Sequence, residues 1–155
     1  MVKHPPVIGV IGAGQCESSI YQLALEVGGE IAKRGAILVC GGLGGVMEAA
    51  AKGASMAGGL TVGILPGPSI KSANPHIKVP VATDMGQARN VIIAHTADGL
   101  VAVSGGAGTL SEIGHSLKLG KPVVGLRTLP DLKGVHYFDT PHQAVARVFE
   151  LIGSS

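Results

Sequence analysis

Val103-Ser-Gly-Gly-Ala-Gly-Thr-Leu-Ser-Glu112 is the stretch from which the rest of the chain is read. Gly99-Leu-Val-Ala-Val103 leads into it as a short apolar run, the mark of a buried strand, and a helical run from Leu110 to Leu119 leads out. Between them, Gly105, Gly106 and Gly108 let the backbone turn sharply and pass close to a ligand. The turn delivers Thr109 to a helix start, where unpaired N–H groups and the positive dipole end favour an anion. Strand, glycine turn and helix N-terminus together predict a phosphate cradle in an α/β fold.

Upstream the pattern repeats. Cys40-Gly-Gly-Leu-Gly-Gly-Val-Met-Glu48 aligns without a gap on Ser104 to Glu112, behind a strand-like run from Ala36 to Val39. A doubly wound sheet would place two such cradles on either side of its switch-point cleft. Gly42, Gly44 and Gly45 therefore join Gly105, Gly106, Gly108 and Thr109 as ligand-facing candidates, with Glu48 expected across the cleft from Glu112. The first strand, Val7-Ile-Gly-Val-Ile11, ends in Gly12-Ala-Gly14-Gln-Cys-Glu17, half of a dinucleotide fingerprint. Glu17 replaces the third glycine, and the second strand ends in Cys40-Gly41 where a ribose would want an acidic residue. Both departures argue against an NAD enzyme. Gly12 and Gly14 are read as a phosphate- or ribose-facing turn of a different site.

The remaining segments alternate helix and strand. Ser18 to Arg34 is a helix, with Ile20, Ala24, Val27 and Ile31 on one face and Gly28-Gly29 permitting close packing on the sheet. Ala49 to Met56 is helical, Leu60 to Leu65 a strand, and His76 to Ala82 a short fourth strand. The Pro66 to Pro75 segment has no room for a regular element and is either a lid or a plain connector. Asp84 with Gln87 spells a capping box, starting a helix over Met85 to Ala97. Its face is Met85, Ala88, Ile92 and Thr96, with Arg89 at the edge and His95 toward the core. Leu110, Ile113, Gly114 and Leu117 are expected to face the sheet from the next helix. Strands at Lys121–Leu126 and Val135–Phe138 follow, and Thr140-Pro141 with Gln143 caps a last helix. The expected fold is α/β: one doubly wound, mostly parallel sheet with helices on both faces, in a single domain over residues 1–155.

Composition narrows the function classes. Of 155 residues, 46% are hydrophobic and 14% charged, against roughly 25% charged in an average domain. So lean a charged surface, with the apolar flank of 85–97, predicts a homodimer or a dimer of dimers. A net charge of +2 without a basic run gives no nucleic-acid footprint. Cys16 and Cys40 form no motif, and neither a signal-peptide core nor a membrane-length apolar run is visible, so a cytoplasmic protein is expected. The histidines and cysteines show no metal-ligand spacing, and no G-x-S-x-G elbow occurs.

Asp84-Met85, Ala88-Arg89-Asn90, Ser104-Gly-Gly-Ala-Gly-Thr-Leu-Ser-Glu112 and Lys121-Pro122 together resemble the lonely-guy superfamily, Rossmann-like proteins often labelled lysine decarboxylases. The pattern there is P-G-G-x-G-T-x-x-E with an upstream Arg-Lys pair. The resemblance implies a phosphoribohydrolase that splits a nucleoside 5′-monophosphate into base and ribose 5-phosphate, with no cofactor required. Ser104 in place of the proline and Asn90 in place of the lysine look more like a sister branch that includes molybdenum-cofactor carrier proteins. That branch implies a non-catalytic carrier of a nucleotide-like or pterin cofactor. A lysine decarboxylase is not expected, since no lysine stands in a recognisable pyridoxal-phosphate setting.

Under either implication the partner is a small phosphorylated molecule, with no nucleic acid and no membrane. Arg89 and Glu112 are the candidate catalytic pair and Asn90 a candidate ligand contact. A cation bordering an apolar stripe needs an acidic partner or an anionic ligand: Arg89 either holds the phosphate or makes an ordinary salt bridge or snorkels to solvent. A fixed carboxylate at Glu112 would stabilise positive charge on a ribose ring in the transition state. Thr109-x-x-Glu112 also spells a capping box, so Glu112 can alternatively be read as a helix cap.

Overall fold

Apolar runs rich in Val, Ile and Leu form parallel strands here because helices cover both faces of the sheet. The computed structural model describes residues 3–153. In order, these are β1 (Val7–Gly12), α1 (Ser18–Lys33), β2 (Ile37–Cys40), α2 (Val46–Met56), β3 (Thr61–Leu65) and β4 (Val79–Ala82). Then come α3 (Arg89–Thr96), β5 (Gly99–Val103), α4 (Ala107–Lys118), β6 (Val123–Leu126), β7 (Val135–Phe138) and α5 (Pro141–Gly153). Among the described residues the strands build one sheet in the order β4-β3-β2-β1-β5-β6-β7, every ladder parallel.

The chain winds outward from β1 to β4, returns to the centre at β5, and winds out the other way. The order reverses between β1 and β5, which run in register from Ile8 beside Gly99 to Gly12 beside Val103. Helices α1, α2 and α5 pack with one core cluster on one face, and α3 and α4 with a second cluster on the other. The carboxyl ends of β1 and β5 therefore open onto the crevice where such sheets take ligands. No helix of the described residues is long and apolar enough to cross a membrane.

Several local expectations are corrected. Asp84 does not cap a helix: it adopts φ 52, its N–H donates to the Gly67 carbonyl, and the Thr83 hydroxyl takes the Met85 N–H. A single 3-10 turn (Gly86–Ala88) follows, and α3 begins only at Arg89. The later start changes the buried face to Arg89, Asn90, Ile93 and Ala94, leaving Met85, Ala88, Thr96 and His95 exposed. In α4 the helix starts three residues before Leu110. Its buried side is Thr109, Ile113 and Ser116, while Leu110 and Gly114 face solvent. Gly28 packs on a neighbouring helix, not on the sheet: a β-carbon there would run into the Ala50 backbone of α2. The 66–75 segment does hold a regular piece, a 3-10 turn at Ile70–Ser72. At its far end, buried Asn74 donates to the carbonyls of Gly42 and Leu43. That end is tied down rather than free to move as a lid. The Thr140 cap is present, its hydroxyl accepting from the Gln143 N–H at 3.2 Å.

Candidate functional site

Helix α4 supplies the anion-binding end. Gly106 is its N-cap, no side chain caps it, and the amides of Ala107, Gly108 and Thr109 have no intrahelical partner. Gly105 makes the turn possible. It sits at φ 105, and a β-carbon on it would collide with the Thr109 side chain. Thr109 is thus the third helical residue, buried against Gly105, and not the cap that the capping-box reading required. Glu112 stands a turn further on. It is no helix cap.

Ser104, just before the turn, is also left-handed, at φ 53. Its N–H extends the sheet by donating to the Leu126 carbonyl at 3.0 Å, and its carbonyl accepts from the Thr128 hydroxyl at 2.9 Å. A proline could supply neither that backbone angle nor that donor, having φ locked near −65° and no N–H. Ser104→Pro should therefore unseat the turn and lose anion binding. Ser104→Gly, which tolerates φ 53, should keep binding and change stability by no more than about 1 kcal/mol. Parallel sulfate titrations and thermal melts of the two variants check this.

Opposite α4 stands Arg89, the first residue of α3, only 6% exposed. Its Nε donates to the Ile64 carbonyl at 2.8 Å, Nη2 reaches the Gly41 carbonyl at 3.5 Å, and Nη1 donates to Asn90 Oδ1. Asn90 in turn donates to Gln87 Oε1 at 3.3 Å. The absence of a side chain at Gly41 makes this seat. A β-carbon there would stand 2.7 Å from Arg89 Nη2 and 2.6 Å from the Met47 sulfur. Among the described residues no carboxylate lies within ion-pair distance of Arg89. Its pKa is lowered by burial, opposed by the charge of Glu112 and by Cys40.

A cavity of about 310 Å³ lies between these two helices and the ends of β1 and β2. Arg89, Asn90, Gln87, Thr109 and Glu112 form its polar side, and Val10, Ile11, Leu43 and Met47 its apolar side. Gly12, Ala13, Gly14, Gly41, Gly106 and Gly108 supply backbone between them. Burial pushes the Glu112 carboxyl up to about 7, against the pull of Arg89. Cys40, fully buried beneath, is pushed up to about 11 by burial and stays a neutral thiol. Among the described residues no group of His, Cys, Asp or Glu is placed to hold a metal ion.

Of the residues expected at the site, Gly12, Gly14, Arg89, Asn90, Gly106, Gly108, Thr109 and Glu112 come together on this cavity. Gly42, Gly44, Gly45 and Gly105 do not line it. The glycine turn at 42–45 is filled by protein. The Val46 N–H, first of α2, donates to the Ala13 carbonyl at 3.0 Å, and a β-carbon on Gly45 would meet residues 13–15. Asn74 takes the outer side of that turn. Glu48 is likewise absent from the cavity, its carboxylate accepting from the Tyr21 hydroxyl at 3.0 Å. The reason is topological: α2 leaves its strand on the α1 face and α4 leaves on the other, so equivalent glutamates diverge. Sequence reasoning missed Gly41, Leu43, Met47 and Gln87. Gly41 carries a signal, being the first glycine of the repeat, whereas the signal at Gln87 is masked by the capping-box pattern it completes with Asp84.

Comparison with known proteins follows the same line. The SLOG cluster4 family model matches residues 5–150. The solved molybdenum cofactor carrier protein of Chlamydomonas reinhardtii is 40% identical, with a TM-score of 0.90 over 97% of this chain and 99% of that one. The molybdenum cofactor binding protein of the phototrophic bacterium Rippkaea orientalis is 33% identical, with a TM-score of 0.91 over the same shares. The cytokinin riboside 5′-monophosphate phosphoribohydrolase of Mycobacterium tuberculosis is 36% identical over 105 residues, 65% of this chain and 56% of that protein.

Proposed function

Since this chain belongs to the SLOG cluster4 family, we propose that it is a non-catalytic carrier, whose cleft holds a phosphorylated, nucleotide-like cofactor of the molybdenum-cofactor type. The observation that carries the reading is Arg89: a buried cation with no ion-pair partner among the described residues, facing the uncapped amides of α4. Such a pair of features favours an anion, and a phosphate matches both. The apolar wall of Val10, Ile11, Leu43 and Met47 suits a flat heterocycle beside it. A cavity of about 310 Å³ is at the small end for ligand sites, which run from roughly 300 to 1,000 Å³. It fits a mononucleotide-sized group better than a dinucleotide. Held there, the cofactor's phosphate would rest on Arg89 and the amides of residues 107–109, and its ring on Met47 and Leu43. The metal chemistry belongs to the cofactor, and the protein's part is binding and shielding.

Carriage is preferred to turnover because, among the described residues, the cleft holds one carboxyl group, Glu112, with Glu48 turned away onto Tyr21. The likeness to carrier proteins also spans nearly the whole chain, whereas the likeness to the hydrolase covers about two thirds of it. A second reading, hydrolysis of a nucleoside 5′-monophosphate, has one observation behind it: a carboxyl titrating near 7 suits a general acid or base. The lean charge and the exposed Met85 and Leu110 support self-association as well. Two measurements decide between the readings. Incubation with a panel of nucleoside 5′-monophosphates is expected to release no free base. Native mass spectrometry of protein made in a cofactor-producing host is expected to show a bound phosphorylated cofactor. Free base at enzymatic rates, with no copurified ligand, would replace the carrier by the hydrolase.

A further inference from the structure

Glu112 needs a role in a cleft built for an anion. A carboxylate on the wall of a phosphate site repels its own ligand, and Glu112 and Arg89 line one cavity of about 310 Å³. Arg89 cannot cancel that repulsion by pairing with it. The guanidinium is directed at the carbonyls of Ile64 and Gly41 and at Asn90, and among the described residues no carboxylate lies within ion-pair distance. A carboxylate can relieve the conflict by taking up a proton, after which it becomes a donor.

We infer that the cleft loads its anion together with one proton, so that Glu112 in the loaded site is a neutral carboxylic acid donating a hydrogen bond to the bound group. This rests on the anion-binding reading of the cleft and adds to it the condition under which the ligand is held or released.

The surroundings of Glu112 support a single titrating group. β1, β5 and β6, which pack against α4, contribute no titratable side chain. From α3 come Arg89, always charged, and His95, which is exposed. On α4 itself His115 and Lys118 are exposed. Cys40 of β2 stays protonated across the neutral range. Burial already pushes the Glu112 carboxyl up to about 7. A dianion alongside would push it higher, because a neighbouring like charge disfavours the carboxylate. By linkage, whatever raises the carboxyl pKa on binding makes binding weaken as pH climbs through the value that burial sets. Ligand is thus gripped on the acid side of neutrality and loosened on the basic side.

Sulfate is a suitable probe, since it remains a dianion throughout the range. Its dissociation constant is read from the amide shifts of Gly106 to Thr109 at pH 6.0 and at pH 8.5, for wild type and Glu112→Gln. The wild type is expected to weaken by roughly 10- to 30-fold over that interval, as one proton's linkage from a pKa near 7 requires. Glu112→Gln, uncharged at every pH, should bind with the same affinity at both. In parallel, the Glu112 carboxyl carbon of the wild type should titrate near 7 without sulfate and higher with it, a readout that survives if the variant folds poorly. Sulfate bound with equal affinity at both pH values, an equal slope in the variant, or a carboxyl titrating near 4.5 would each overturn the inference while leaving the anion site standing. If sulfate binds at neither pH, the anion site and this inference fall together.

Discussion

Arg89→Met is expected to weaken sulfate binding by roughly 100-fold while leaving the fold in place. Two charge-assisted hydrogen bonds are worth about 3 kcal/mol together, and about 1.4 kcal/mol is a factor of ten. Arg89 has donors left for a ligand after serving Ile64, Gly41 and Asn90. It makes no ion pair among the described residues, and the one buried carboxyl it favours, Glu112, can take up a proton once the cation is gone, so no charged carboxylate is left stranded, the usual source of large losses. Thermal melting should therefore shift far less than affinity does. Arg89 is also the one charge drawing the Glu112 carboxyl downward. In Arg89→Met that carboxyl should titrate above its wild-type value, a change visible in the same carbon spectrum. Affinity within threefold of wild type would show that the cleft does not use Arg89 for its anion.

That Arg89 belonged to a site was legible before any coordinates, whereas its placement was not. The residue stood out as a lone cation between Asp84 and Asp98, but the helix carrying it was expected to begin four residues too early. The cause is Asp84, whose sequence context spells a cap while its backbone takes a left-handed turn tied to the 66–67 segment. A tertiary contact overrode a local propensity, and the buried face rotated with it. The order of strands and helices was readable because apolar runs and glycine turns are local signals. A mostly parallel sheet with a switch-point cleft followed from general connection rules, and the ladder proves parallel throughout, with the strand order reversing between β1 and β5.

The internal repeat was the misleading signal. Cys40–Glu48 and Ser104–Glu112 share a pattern, and both indeed join a strand to a helix. What the pattern does not encode is which face of the sheet each helix crosses. The first turn is packed by residues 13–15 and by Asn74, and its glycines make room for backbone; the second opens onto the cleft. One glycine spacing thus serves packing in one place and leaves amides free for a ligand in the other.

Gly28→Ala is expected to destabilise the protein by about 3 kcal/mol, lowering the melting temperature by roughly 10 °C for a domain of this size. Helices α1 and α2 meet backbone to backbone. A β-carbon at Gly28 would lie 2.7 Å from the Ala50 carbonyl carbon and 3.0 Å from its Cα, and one at Gly53 would lie 2.8 Å from the Leu25 carbonyl carbon. Main chain cannot swing aside as a flexible side chain can, so the helices must separate. Helix propensity works the other way, favouring alanine by about 1 kcal/mol, and is outweighed by the clash. Gly29→Ala is the control. Its β-carbon would meet the Gly53 carbonyl oxygen at an ordinary 3.7 Å, so propensity alone should act and the melting temperature should rise slightly. The defect should reach the site as well. Met47 on α2 and Leu43 in the turn before it line the cleft, and pushing α2 off α1 carries both away from Arg89. Gly28→Ala should then bind sulfate, and any flat phosphorylated ligand, more weakly than Gly29→Ala. Equal melting temperatures for the two variants would show that the helix crossing has slack and that its glycines are not what seats α2 beside the cleft.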